Sequence, residues 1–248
     1  EQMRSMGQRQ KINDRFGTMF DSRGRVTVAQ GPYLIDHEGR IVEGVVHERL
    51  RYRGNAYRIP LPATAKGTWE PTVWDTDVLP RAQRHIAYLR EFYDQPNFSP
   101  YQLAIMLAWA SPMLAFMQGS YRSGNNLPGI GLTVSLYSPK SGIGKTAAMH
   151  AAALAFGSPT DICLQLDRNS STGNARQALL LQSGTMPSFM DEMEDVDAKE
   201  LASLVSSVGN GTSKARLTKE LALTGGVNMA LVNIMSTNKS HREIVAAA

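Results

Sequence analysis

The 248-residue sequence predicts an α/β fold: a parallel sheet flanked by helices, with a small β-rich region in front of it. Three observations predict it. Residues 132–156 read as an apolar strand, a Gly-rich turn and a helix former in direct succession. Two later apolar runs, 186–191 and 229–235, end in polar residues and are separated by a helical segment, the alternation that builds parallel sheets. The first sixty residues carry short apolar pairs broken by Gly, Asp and Pro, the punctuation of short strands and turns.

Taken in chain order, Val26-Thr27-Val28, Tyr33-Leu34-Ile35, Ile41-Val42, Val45-Val46 and Tyr57-Arg58-Ile59 are the expected strands, with turns at Ser22-Arg23-Gly24 and His37-Glu38-Gly39. Alternation in Arg49-Leu50-Arg51-Tyr52-Arg53 would put three guanidinium groups on one face. They suit either phosphate contacts or a charge-protected edge. Residues 1–78 are therefore read as a β-rich N-terminal region, and 79–248 as the core, with a helical lead-in over 79–130. In that lead-in, Ile86, Leu89 and Tyr93 share helical spacing, and Ser99-Pro100 looks like an N-cap followed by the first helical residue. The apolar run 103–117 is expected to be a buried helix, since it falls short of the roughly 20 residues a membrane span needs. A chain that opens on Glu1 and stops at Ala246-Ala247-Ala248 is expected to be a piece of a longer protein, truncated at its C-terminus.

An apolar fraction of 42% with 19% charged residues argues for a folded core and against a disordered chain. The single cysteine, Cys163, excludes an internal disulfide and a thiolate cluster, which fits a reducing cytoplasm. A net charge of +4 permits nucleic-acid contact without requiring it.

The segment that carries chemistry is Ser138-Pro139-Lys140-Ser141-Gly142-Ile143-Gly144-Lys145-Thr146. Between a strand and a helix, such a loop surrounds phosphates with backbone N–H groups and the positive end of the helix dipole. The expected ligand is ATP with Mg²⁺: residues Pro139 to Thr146 cradle the phosphates, Lys145 reaches the β- and γ-oxygens, and the Thr146 hydroxyl meets the metal. Pro139 stands where the usual pattern has its first Gly. Gly142 and Gly144 must then supply the backbone freedom, and Lys140 adds a second cation. The bland alternative is a chance Gly-Lys-Thr turn at a helix start.

Asp191-Glu192, closing an apolar run, reads as a metal-holding carboxylate followed by a general base that polarises water. The alternative is an acidic helix start, because Glu194, Asp195, Asp197 and Glu200 follow closely. Asn238, after the run 229–235, is placed to orient the attacking water, or else Ser236-Thr237-Asn238 merely begins a turn. Residues 214–226 read as a basic hairpin in which Lys214, Arg216 and Lys219 are candidates for contacting DNA or a neighbouring subunit's nucleotide. Arg242 is a further candidate, and an exposed charged hairpin is the plain alternative.

Together, Pro139 to Thr146, the Ser170-Ser171-Thr172-Gly173-Asn174-Ala175 helix start, Asp191-Glu192, Asn210-Gly211-Thr212-Ser213-Lys214-Ala215-Arg216 and Ser236-Thr237-Asn238 resemble a helicase-like, domain-of-unknown-function ATPase family of phages and plasmids. The likeness is strongest over 133–238. It is also similar to superfamily-three helicase and AAA+ P-loop NTPase cores. That resemblance implies a homo-oligomeric ring, commonly a hexamer, with ATP between subunits. It also implies single- or double-stranded DNA as partner, a primase module in the same protein, and an arginine finger, expected beyond Ala248. The expectation is thus an ATP-dependent DNA helicase or translocase of a phage or mobile-element replication protein, in the cytoplasm of a bacterial host, with no membrane. Two alternatives stay open: an ATP-binding assembly scaffold without turnover, and an AAA+ remodeller acting on protein.

Overall fold

The computed structural model describes residues 12–13, 16–20, 24–30, 33–38, 41–43, 45–46, 79–117, 131–165, 173–211, 216–217, 223–224 and 229–246. The expected arginine strand 49–53, the expected strand 57–59, the start of the 170–175 segment, and Lys214 and Lys219 lie outside them. Strands β1 (Ile12–Asn13), β2 (Gly17–Phe20), β3 (Val26–Gln30), β4 (Tyr33–Ile35), β5 (Ile41–Glu43) and β6 (Val45–Val46) occupy the N-terminal region. β2 to β5 form a four-stranded antiparallel meander in chain order, and β1 pairs with β6 in parallel. The turn expected at His37-Glu38 is present between β4 and β5.

This small sheet is docked on the rest of the protein. Phe16, fully buried, joins the same apolar cluster as Met186 and Phe156. Its N–H donates to the Gln182 carbonyl at 3.2 Å, and Thr185 N donates back to the Phe16 carbonyl at 3.3 Å. Thr18 N donates to Thr185 Oγ1 at 2.6 Å and Thr18 Oγ1 to the Pro112 carbonyl at 2.9 Å. Farther along, Gln30 Nε2 donates to the Phe156 carbonyl at 2.8 Å. Gly17, at φ +95°, lies so close to Thr185 that a Cβ would collide with its backbone and side chain. The approach therefore needs a residue without a side chain.

Helix α1 (Leu79–Tyr93) and helix α2 (Ser99–Ala110) form the lead-in. Phe98, not Ser99, caps α2, and no side chain bonds the free N–H groups there. The run expected to be one buried helix is broken. Pro112, lacking an N–H, converts it to a 3₁₀ turn over Ser111–Met113 before a short helix α3 (Leu114–Met117). Nor is it buried all round, since Leu103 is 56% and Met106 65% exposed. Ser111 itself is buried and joins two elements: its hydroxyl donates to the Thr185 carbonyl at 2.8 Å and accepts from Val232 N at 2.9 Å. Among the described residues no helix is long and apolar enough to cross a membrane.

The core sheet contains β7 (Leu132–Tyr137), β8 (Cys163–Gln165) and β9 (Ser188–Asp191). The chain reaches β8 through α4 (Lys145–Ala153) and α5 (Pro159–Ile162), β9 through α6 (Gly173–Ser183), and then enters α7 (Ala198–Asn210). A two-residue antiparallel pair, β10 (Arg216–Leu217) with β11 (Leu223–Thr224), lies within the predicted basic hairpin. Strand β12 (Val232–Thr237) and helix α8 (His241–Ala246) complete the described elements. The sheet order is β7-β12-β9-β8, and every neighbouring pair is parallel.

Both faces of this sheet are covered, so β9 and β12 are buried along their whole length, as expected for parallel strands beneath helices. On one face Val134, Leu136, Phe189, Val232 and Ile234 meet alanines of α2 and α4: Ala104, Ala108, Ala148 and Ala152. These small residues let the helices lie close, and Trp109 Nε1 reaches the Ala152 carbonyl at 3.0 Å. On the other face Met190 and Met235 pack under Leu180 of α6 and Leu201, Leu204 and Val208 of α7. Buried Arg176 pairs at 2.5 Å with the partly exposed Glu200, tying α6 to α7.

Candidate functional site

Because all four strands run the same way, their C-terminal ends share one edge of the sheet. That edge is where ligands of open α/β sheets bind. The ends of β7, β9 and β12 are adjacent there and carry the loop 138–144, Asp191-Glu192 and Asn238 respectively. Three segments far apart in sequence thus line one cleft of ≈ 290 Å³, to which Ser141 to Ala147, Asp191, Glu192, Glu194, Ser236 and Asn238 contribute.

The loop takes the shape that its glycines permit. Gly142 has φ +72° and Gly144 φ +94°, and a Cβ at either would meet no atom within 4 Å. Pro139 is accommodated as an exposed residue at the loop entrance, where Lys140 N donates to Ser138 Oγ at 3.1 Å. From the lead-in, the Tyr101 hydroxyl donates to the Ile143 carbonyl at 2.8 Å, bracing the loop against α2. Burial raises the pKa of Tyr101 above its ordinary value, so the hydroxyl stays a donor throughout the neutral range.

Lys145 opens α4 and is 8% exposed. Its ammonium donates to Asn238 Oδ1 at 2.7 Å and to the carbonyls of Lys140 at 3.3 Å and Ser138 at 3.5 Å. Among the described residues its acceptors are all neutral, and a buried cation so held is available to an anion. The next residue, Thr146, donates through Oγ1 to Asp191 Oδ2 at 2.8 Å. Asp191, 3% exposed, also accepts from Ser236 Oγ and from Glu192 N at 3.1 Å.

Glu192 follows at φ +58°, ψ +52°, a left-handed conformation uncommon for a residue with a side chain. This reversal leaves the Glu192 side chain exposed at the cleft while Met193 drops into the core. Glu194 then returns to the cleft, where Oε1 accepts from Asn238 Nδ2 at 2.8 Å. The acidic run also serves its structural alternative, because Asp197 caps α7 by accepting from Lys199 N at 2.7 Å.

The structure brings Lys145, Thr146, Asp191, Glu192 and Asn238 together in one cleft. Arg216 lies in β10 of the separate two-stranded pair and exposed Arg242 lies on α8, and neither is among the described residues that line the cleft. Two further polar residues, Glu194 and Ser236, line the cleft. The sequence shows Glu194 as one acid of a helix-start cluster and Ser236 as the first residue of Ser236-Thr237-Asn238, without assigning either a role at the site. A hydroxyl spaced two residues before Asn238 on a strand is the signal that could have found Ser236.

The residues fit a hard divalent cation bound jointly with phosphates. Thr146 Oγ1 and Asp191 offer oxygen donors side by side, and Mg²⁺ is commonly held by one or two carboxylates plus substrate phosphates. Among the described residues no group of three or more His, Cys, Asp or Glu forms an all-protein cage.

A family model described as domain of unknown function (DUF927) matches residues 98–223, just over half of the chain. No curated protein and no solved structure matches.

Proposed function

The chain belongs to the family described as domain of unknown function (DUF927), and from the cleft itself we propose that it is a P-loop ATPase. It binds ATP with Mg²⁺, hydrolyses it, and uses the turnover to drive a ring-shaped translocase or helicase along DNA. The observation that carries the reading is the convergence of Lys145 with Asn238 and of Thr146 with Asp191 at the ends of three adjacent parallel strands.

In this mechanism the N–H groups of the loop and of the first turn of α4 surround the β-phosphate. Lys145 exchanges its neutral partners for β- and γ-oxygens. Thr146 and Asp191 would hold Mg²⁺, which when bound would supply positive charge to offset that of the phosphates. Ser236 keeps the Asp191 carboxylate turned toward Thr146. Glu192 accepts a proton from water as the water oxygen bonds to the γ-phosphorus. The bond from that phosphorus to the bridging oxygen breaks, and ADP leaves with the electron pair. Asn238 accepts from the same water and fixes its line of approach.

The DNA partner rests on the basic 214–219 segment and on the helicase-like resemblance. ATPase activity should rise several-fold with single-stranded DNA, and the stimulation should fade as salt rises, because phosphate contacts release counterions. Turnover indifferent to DNA but stimulated by an unfolded protein would move the reading to a protein remodeller. Stable ATP-dependent oligomers without turnover would move it to an assembly scaffold.

A further inference from the structure

We propose that Glu194 is a positioning residue for the hydrolytic step, acting through Asn238; this rests on the ATPase reading above. The amide of Asn238 has two unlike ends: its oxygen only accepts and its NH₂ only donates. Lys145 can only donate and the Glu194 carboxylate can only accept, so the pair fixes the amide with Oδ1 toward Lys145 and Nδ2 toward Glu194. Once phosphate oxygens draw Lys145 away, Glu194 alone keeps that orientation. The amide oxygen then faces the cleft as the acceptor that an attacking water needs. A flipped amide would present an NH₂ and repel the water's protons.

Glu194 is built to hold its place. Met193 on one side is 1% exposed and Val196 beyond it 4%, both in the core cluster under α7. Lys239, next to Asn238, donates through Nζ to the Glu194 carbonyl at 3.3 Å, joining the two segments a second time. The other carboxylate oxygen, Oε2, is buried with no hydrogen-bond partner. Leaving an acceptor buried and unpaired is costly, and its fellow oxygen is the one committed to Asn238.

The test compares steady-state MgATP hydrolysis and melting temperature for the wild-type chain, Glu194→Ala, Glu194→Asp, Glu194→Gln, Asn238→Ala and the Glu194→Ala/Asn238→Ala double variant. Glu194→Ala should lower kcat about tenfold, the worth of one hydrogen bond to a charged group, with KM within about twofold. Glu194→Asp, whose acceptor is withdrawn by one methylene, should behave like Glu194→Ala even if the alanine variant folds poorly. Glu194→Gln offers an NH₂ as well as an acceptor oxygen, so it no longer dictates which way the Asn238 amide faces, and its kcat should also fall below that of the wild type. In the Asn238→Ala background, Glu194→Ala should cause no further loss. Wild-type kcat in the alanine and aspartate variants, or losses that add in the double variant, would overturn the role of Glu194 alone. Absence of turnover in the wild-type chain would overturn the ATPase reading, and this role with it.

Discussion

Replacing Gly144 by alanine separates loop shape from fold stability. Gly144 sits at φ +94°, ψ +13°, immediately before α4, and an added methyl group would meet no atom within 4 Å. The cost is therefore confined to the backbone: holding an L-residue left-handed costs about 1–2 kcal/mol. Gly142 and Ile143 beside it are exposed, so the substituted loop can relax without disturbing the core, and unfolding free energy should change by less than about 1 kcal/mol. The strain returns when the loop must re-form around phosphates. Affinity for MgATP should then fall about 5- to 30-fold, at 1.4 kcal/mol per factor of ten. Calorimetric titration of MgATP into both proteins, beside their melting curves, measures the two effects separately. Unchanged affinity would refute the reasoning, since it would mean that the left-handed turn is not the shape the phosphates need. A large loss of stability would refute it as well.

Gly17→Ala should act in the opposite way, because its methyl group would collide with Thr185 where the small sheet docks. Left-handed strain and overpacking together should cost about 2–5 kcal/mol, read as a lowered denaturant midpoint, while Gly142→Ala leaves the midpoint nearly unchanged. For Tyr93, burial, reinforced by the nearby Tyr101 and Tyr88 hydroxyls, raises the folded pKa above 10. The contribution is fully present below the unfolded value and is lost as pH rises through the folded one. Melting at pH 8 and at about pH 10.5 should show a larger alkaline loss for the wild type than for Tyr93→Phe. Equal losses would contradict that assignment.

Much of the site could be read from residue order. Strand β7 occupies 132–137 as predicted, because its apolar run is bounded on both sides by turn residues. Asp191 and Asn238 stand out in the sequence because polar residues close apolar runs, a pattern that survives errors in strand boundaries. The boundaries themselves shifted. The run 229–235 was read as a strand, yet β12 begins at Val232, since Met229 and Ala230 bond to the Gly211 and Gly184 carbonyls instead of a neighbouring strand. Apolar character marks burial, and burial does not require a ladder.

Three features were not legible for physical reasons. The insertion of β12 between β7 and β9 depends on pairing among distant strands, which local periodicity does not encode. Glu194 was hidden because the left-handed turn at Glu192 reverses the chain, so the acid three residues past Asp191 re-enters the cleft. The stretch 103–117 looked like one buried helix because hydrophobicity does not reveal which face is covered or where Pro112 will break the ladder.

The most direct test of the central claim is phosphate release from MgATP by the wild-type chain, Lys145→Ala and Glu192→Gln under identical conditions. The account predicts steady release by the wild type and background release by both variants, the first for want of phosphate contacts and the second for want of a base. No release by the wild type, or release that survives in Lys145→Ala, would contradict it.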